Sequence, residues 1–210
     1  MSKRLAAVMM VLGAMSLAHA EPEEQLALSA DPDAGAARAS TCVACHGPAG
    51  ISPLGAFPNL AGQQMAYLAK QIREIRDGER EIAQMARLLD DYSDEDAWNV
   101  AAFYAAEAPE EGQAEDIPEE LARGETLYRA GDAAAGIPAC SACHGPSGGG
   151  IGSAAYPALS GQHPDYTLHA LDAFASGERD NDPDGVMGEI ARRLDEADRQ
   201  ALANYLRGLH

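Results

Sequence analysis

Met65, Leu68, Ile72 and Ile75 recur at helical spacing, and Gly78 follows the last of them, so the pattern predicts an amphipathic helix closed by that glycine. About a hundred residues later Leu168, Leu171 and Ala175 repeat the stripe, closed by Gly177. Two more helices are predicted from near Ser93 and Asp195. Each start has an acid three residues on, Asp96 or Asp198, a capping-box-like signal with Asp in place of the usual Glu. No stretch alternates convincingly with period two, so the predicted fold is all-α.

The helices are parts of a longer repeat. "FPNLAGQQMAYLAKQIREIRDGERE" (57–81) lies over "YPALSGQHPDYTLHALDAFASGERD" (156–180), matching at Pro58 and Pro157, Leu60 and Leu159, Gly62 and Gly161, Tyr67 and Tyr166, and the Gly-Glu-Arg endings. Further on, Met85 falls on Met187 and Asp96 on Asp198. The offset drifts only from 98 to 102, which indicates duplication of a whole domain. Each half has the same predicted order: a short helix, a cysteine motif, a Gly/Pro-rich loop, a middle helix, a polar loop and a last helix. "EAPEEGQAEDIPEE" lacks apolar periodicity and reads as a solvated acidic linker. "MSKRLAAVMMVLGAMSLAHA" has Lys3 and Arg4, an apolar run and a small-x-small ending, the pattern of a signal peptide. The expected division is a signal peptide over 1–20, an N-terminal domain over 21–106, the linker over 107–118 and a C-terminal domain over 119–210. No later segment is apolar enough to span a bilayer, which leaves peripheral association with a membrane open.

Charge narrows the partners. Without residues 1–20 the chain keeps 13 Lys plus Arg against 33 Asp plus Glu, a formal −20, with Lys70 its one lysine. Nucleic acid is excluded as a partner, since a polyanion needs a basic footprint.

The only cysteines stand in "STCVACHGPAG" (40–50) and "PACSACHGPSG" (138–148), two copies of Cys-x-x-Cys-His. Three readings compete. Disulfides within each pair suit an exported chain, and zinc held by both pairs is a second possibility. Neither uses the histidine that follows each pair. Covalent attachment of a c-type haem uses all three residues: one helical turn brings Cys42 and Cys45, or Cys140 and Cys143, to the porphyrin edge and leaves His46 or His144 beneath the iron. Two such motifs in a duplicated frame favour two covalently bound haem c groups. A haem also gives small domains with eleven aromatic residues in all a core to fold around.

The sixth iron position separates electron transfer from ligand chemistry. Met65, Met85 and Met187 are the methionines left beyond residue 20, and only Met85 and Met187 recur in register. A lone methionine is usually core packing, which is the reading for Met65, whose counterpart is Pro164. The recurrence makes Met85 and Met187 candidate thioether ligands, which favour Fe(II) and close the iron to small molecules. His163, His169 and His210 have no histidine counterpart and read as surface or local hydrogen-bonding groups. Pro58 and Pro157, 12 and 13 residues after the motif histidines, are placed to offer backbone carbonyls to their second ring nitrogen.

These residues resemble a known family. "CVACHGPAG", "FPNLAGQQMAYLAKQI", "QMARLLDDYSDEDAWNVAAFYA", "IPACSACHGPSG", "YPALSGQHPDYTLHAL" and "ANYLRGLH" are similar to the successive signatures of cytochrome c4, two-haem periplasmic members of the class I cytochromes c. The resemblance implies two tandem class I cytochrome c domains, His46 and Met85 on one iron, His144 and Met187 on the other, and a crossing of first and last helices in each domain. Gly35 and Gly124 match the small residue at that crossing, with Phe103 and Tyr205 opposite. It further implies a periplasmic electron carrier, not an enzyme, between quinol–cytochrome c reductase and a terminal oxidase. The haem subunit of a larger dehydrogenase, such as a sulfide-oxidising flavocytochrome, and a di-haem peroxidase are the alternatives. The halves differ in one respect: 7 residues separate Gly35 from Cys42, against 16 from Gly124 to Cys140.

Overall fold

The computed structural model describes residues 22–210, and the expected signal peptide lies outside them. Among the described residues there are ten α-helices and no strand, only two isolated bridges. The N-terminal half contains α1 (Pro22–Ser29), α2 (Pro32–Arg38), α3 (Val43–His46), α4 (Met65–Asp77) and α5 (Asp94–Ala106). The C-terminal half contains α6 (Pro118–Arg129), α7 (Ser141–His144), α8 (Pro164–Ser176), α9 (Val186–Ala191) and α10 (Glu196–Arg207). Each half has its own core: Leu68, Tyr92, Trp98 and Tyr104 anchor the first, Leu127, Tyr128, Leu202 and Leu206 the second. No described helix is long and apolar enough to cross a membrane.

The duplicated signals produce duplicated ends. Gly78 and Gly177 close α4 and α8 in the left-handed region, at φ 78° and 80°, where an L side chain is strained. Ser93 caps α5 in a full capping box with Asp96. At α10 only half the box forms: Asp195 accepts from the Asp198 amide, while the Asp198 carboxylate is taken by Arg123 at 2.6 Å. In α8 the residues fully buried are Thr167, Ala173 and Phe174, while the stripe residues Leu168, Leu171 and Ala175 are half-buried.

The shorter connection of half one does not cost it a first helix. α2 forms with Gly35 buried against α5, and a 3-10 turn over Ala39–Thr41 leads straight into Cys42. Half two spends its extra residues on a loop closed by paired backbone bonds between Asp132 and Ile137.

The acidic segment after α5 is partly built into the interface. Gly112 is buried against Arg207, and the Glu110 carboxylate accepts from Arg207 at 2.9 Å and from the Asn59 amide at 3.1 Å. Those partners, Arg207 first, hold the Glu110 carboxyl below its ordinary 4.5. A depressed carboxylate contributes stability that is complete above the unfolded value and disappears as pH falls through the folded one. Acid titration of the melting temperature should therefore drop less steeply below about pH 5 in Glu110→Gln than in the parent. Equal slopes would show that this latch carries no acid-sensitive stability.

Candidate haem sites

Both cysteine motifs fold as one helical turn. The His46 amide bonds to Cys42 O at 2.9 Å and the Cys45 amide to the same oxygen at 3.2 Å; the Cys140, Cys143 and His144 turn repeats both distances. No disulfide joins any two of the four cysteines, so the pairs remain available for thioether attachment. No three His, Cys, Asp or Glu side chains converge among the described residues, so the two Cys-x-x-Cys pairs do not build one zinc centre. Burial pushes the Cys140 thiol up to about 11 and also raises that of Cys42.

The imidazoles are the most constrained groups of the motifs. His46 and His144 are 7% and 6% exposed, and each Nδ1 lies 2.9 Å from a proline carbonyl, Pro58 O and Pro157 O. A carbonyl only accepts, so each Nδ1 carries the proton and each Nε2 keeps its lone pair. Burial lowers both imidazole pKa values, against the stabilising carbonyl, and favours this neutral form. The proline acceptors expected from spacing are therefore in place.

The methionines stand on unequal supports. Met85 ends a 3-10 turn over Ala83–Met85 and packs, half-buried, against the N-terminal core. Met187 is half-buried in the first turn of α9, where the Asp182 carboxylate accepts from the Met187 and Gly188 amides at 2.6 and 3.1 Å. Met65 packs against the N-terminal core, as read from its position. His163 bonds through Nε2 to Ser52 O at 3.0 Å, and His169 and His210 are exposed.

The donor set fits a c-type haem: two thiols on one turn, a neutral imidazole with Nε2 uncommitted, and a thioether in each half. Two buried polar atoms of the N-terminal half, Trp98 Nε1 and Tyr104 Oη, have no protein partner. Leaving such groups unpaired costs about 1–3 kcal/mol each, so a polar group from a bound cofactor would relieve them.

The halves meet through polar residues that sequence reasoning passed over. Gln63 Oε1 accepts from the Ala158 amide at 2.7 Å and its Nε2 donates to Ala158 O at 2.9 Å. Gln162 mirrors this on Asn59, at 2.8 and 3.0 Å. Also between the halves, Arg179 donates to Tyr67 Oη at 3.0 Å and to Gln71, while Lys70 donates to Asn181 O at 2.6 Å. Burial alone would raise the Tyr67 phenol, but the adjacent Arg179 and Arg80 charges overrule it and leave it below its ordinary value. One signal for the glutamines was available: Gln63 and Gln162 recur at the same offset as Pro58 and Pro157.

Comparison with known proteins agrees with this architecture. A Cytochrome c family model matches residues 121–210, and that of Cytochrome C oxidase, cbb3-type, subunit III, matches 30–103. The chain is 43% identical to a cytochrome c4 of Pseudomonas aeruginosa over the full length of both. Its fold superposes on the crystal structure of reduced recombinant cytochrome c4 from Pseudomonas stutzeri with a TM-score of 0.83 at 38% identity, covering 87% of this chain and all of that one. A thiosulfate dehydrogenase electron acceptor of Thiomonas intermedia is 38% identical over 80% of this chain and 78% of that protein.

Proposed function

The chain belongs to the cytochrome c4 family, di-haem electron-transfer cytochromes with two covalently bound haem c groups, and on that premise we propose that it carries electrons in the periplasm from a quinol-oxidising complex to a terminal oxidase. In this reading His46 and Met85 ligate the N-terminal iron and His144 and Met187 the C-terminal one. The observation that carries it is the pair of neutral imidazoles, each fixed by a proline carbonyl with Nε2 free, in two halves that touch directly. The haems supply reversible one-electron chemistry between Fe(III) and Fe(II). The chain's part is to hold both ligand sets still, because an imidazole that cannot rotate adds little reorganisation to electron transfer. Met85 and Met187, if they hold the irons together with the histidines, would leave no position for a peroxide.

Residues 21–108 carry 6 basic and 15 acidic side chains, and residues 109–210 carry 7 and 18, so both halves are strongly negative. Docking through a ring of lysines is therefore not available to this carrier. Its field steers it toward partners with basic surfaces, and that steering fades beyond about 8 Å at physiological salt. Stopped-flow rates with a cationic acceptor should fall as ionic strength rises, and rates with ferricyanide should rise. Oxygen uptake by membranes containing the reductase and oxidase should resume when the purified protein is added. Failure of that uptake, with rapid reduction by a thiosulfate dehydrogenase, would replace the respiratory role by the one named for the Thiomonas intermedia relative.

A further inference from the structure

We propose that Gln63 and Gln162 are positioning residues that act across the interface, each tuning the iron site of the opposite half through a single peptide group. The peptide joining Pro58 to Asn59 gives its carbonyl to His46 Nδ1–H at 2.9 Å and its N–H to Gln162 Oε1 at 2.8 Å. The peptide joining Pro157 to Ala158 does the same with His144 at 2.9 Å and Gln63 Oε1 at 2.7 Å. Each relay thus runs from an imidazole, through one amide unit, to a side chain supplied by the other half.

The glutamines are fixed for this task. Each returns a bond through Nε2 to the residue it accepts from, and each Oε1 also receives the next amide of its own chain, Gln64 N at 2.8 Å or His163 N at 3.0 Å. Gln63 and Gln162 are 7% and 8% exposed, so water does not compete. Hydrogen bonds in series polarise one another when buried. An N–H that donates to glutamine sends electron density to the carbonyl of the same peptide, which grips the imidazole N–H more strongly. The ring becomes the better donor at Nε2 and favours Fe(III). Without the glutamine oxygen, the opposite haem is the easier to reduce.

The proposal rests on His46 and His144 as iron ligands, and that reading is checked first, by the ligation spectrum of the unsubstituted protein. The test then uses Gln162→Met and Gln63→Met in the haem-loaded full chain, with each potential assigned through the methionine methyl resonance of its own half. Gln162→Met should favour reduction of the N-terminal haem by roughly two- to four-fold in its redox equilibrium with a mediator, a bond of this kind being weakened by about a tenth to a third. The C-terminal haem should move far less, and Gln63→Met should give the reverse assignment. Exchange of the His46 Nδ1 proton should quicken in Gln162→Met only, and that of His144 in Gln63→Met only. Gln162→Glu and Gln63→Glu keep the acceptor oxygen, so they should restore the slow exchange. They also serve if the methionine variants do not fold, since each should favour oxidation of the opposite haem more than its own. Equal shifts at both haems, shifts confined to the same half, or unchanged potentials with an intact ligation spectrum would each overturn the relay.

Discussion

Gly124→Ala should destabilise the C-terminal half by about 1–3 kcal/mol, although alanine in a helix interior is ordinarily worth about 1 kcal/mol over glycine. The reason is the contact between α6 and α10. A Cβ on Gly124 would stand 2.4 Å from Ala201 O and 2.6 Å from Tyr205 Cβ, and neither atom can swing away as the tip of a long side chain can. At Gly35 the approach is closer, 2.0 Å from Asn99 O and 3.0 Å from Phe103 Cβ, where α2 crosses α5. Overpacking exceeds the propensity gain, and the helices must part. Loss of the methionine-ligation band on heating, followed separately for each half, gives the measure. Gly35→Ala should lower the midpoint of the N-terminal half and Gly124→Ala that of the C-terminal half. A melting temperature that rises in either variant would mean the crossing relaxes without cost.

Those two glycines also show what the sequence disclosed and what it withheld. Their partners Phe103 and Tyr205 were legible because duplication and family resemblance fixed the register, and the structure places them across the crossing. The Cys-x-x-Cys-His turns, the helix stops at Gly78 and Gly177 and the proline acceptors followed from spacing, since each is a local or near-local geometric requirement. α9 has only six residues and is too short for hydrophobic periodicity to detect. The interface was hidden for a different reason. Gln63, Gln162, Asn59 and Arg179 are polar residues with no apolar pattern to mark them, and their bonds to the opposite half exist only where the two halves dock. The acidic segment misled in the same way: its composition suggested full solvation, yet Gly112 and Glu110 are fitted against Arg207.

Met85→Ala and Met187→Ala should each abolish half of the weak near-infrared charge-transfer band of methionine-ligated ferric haem, lower one of the two potentials, and let the reduced protein bind one equivalent of carbon monoxide. Met65→Leu should change none of these, because Met65 packs in the N-terminal core. The unsubstituted protein should respond unequally as well, since the two methionine arms are held by different means. Around Met187 the Asp182 carboxylate ties down two amides, and Arg193 donates to Gly136 O at 2.6 Å in the loop that half one lacks. Around Met85 the backbone is held by local turns, with Met85 N on Ile82 O at 2.9 Å. Arg87, two residues on, sits at φ 68° with its side chain 89% exposed. A non-glycine residue in that region is strained by about 1–3 kcal/mol unless its surroundings hold it, and a side chain this exposed has little to hold it. Denaturant should therefore remove the Met85 share of the band before the Met187 share, and Asp182→Asn should bring the two transitions closer together. Coincident loss of both shares in the parent protein would show that the arms are equally secure and that the strain at Arg87 is absorbed elsewhere. Removal of half of the band by Met65→Leu would instead reassign the N-terminal ligand.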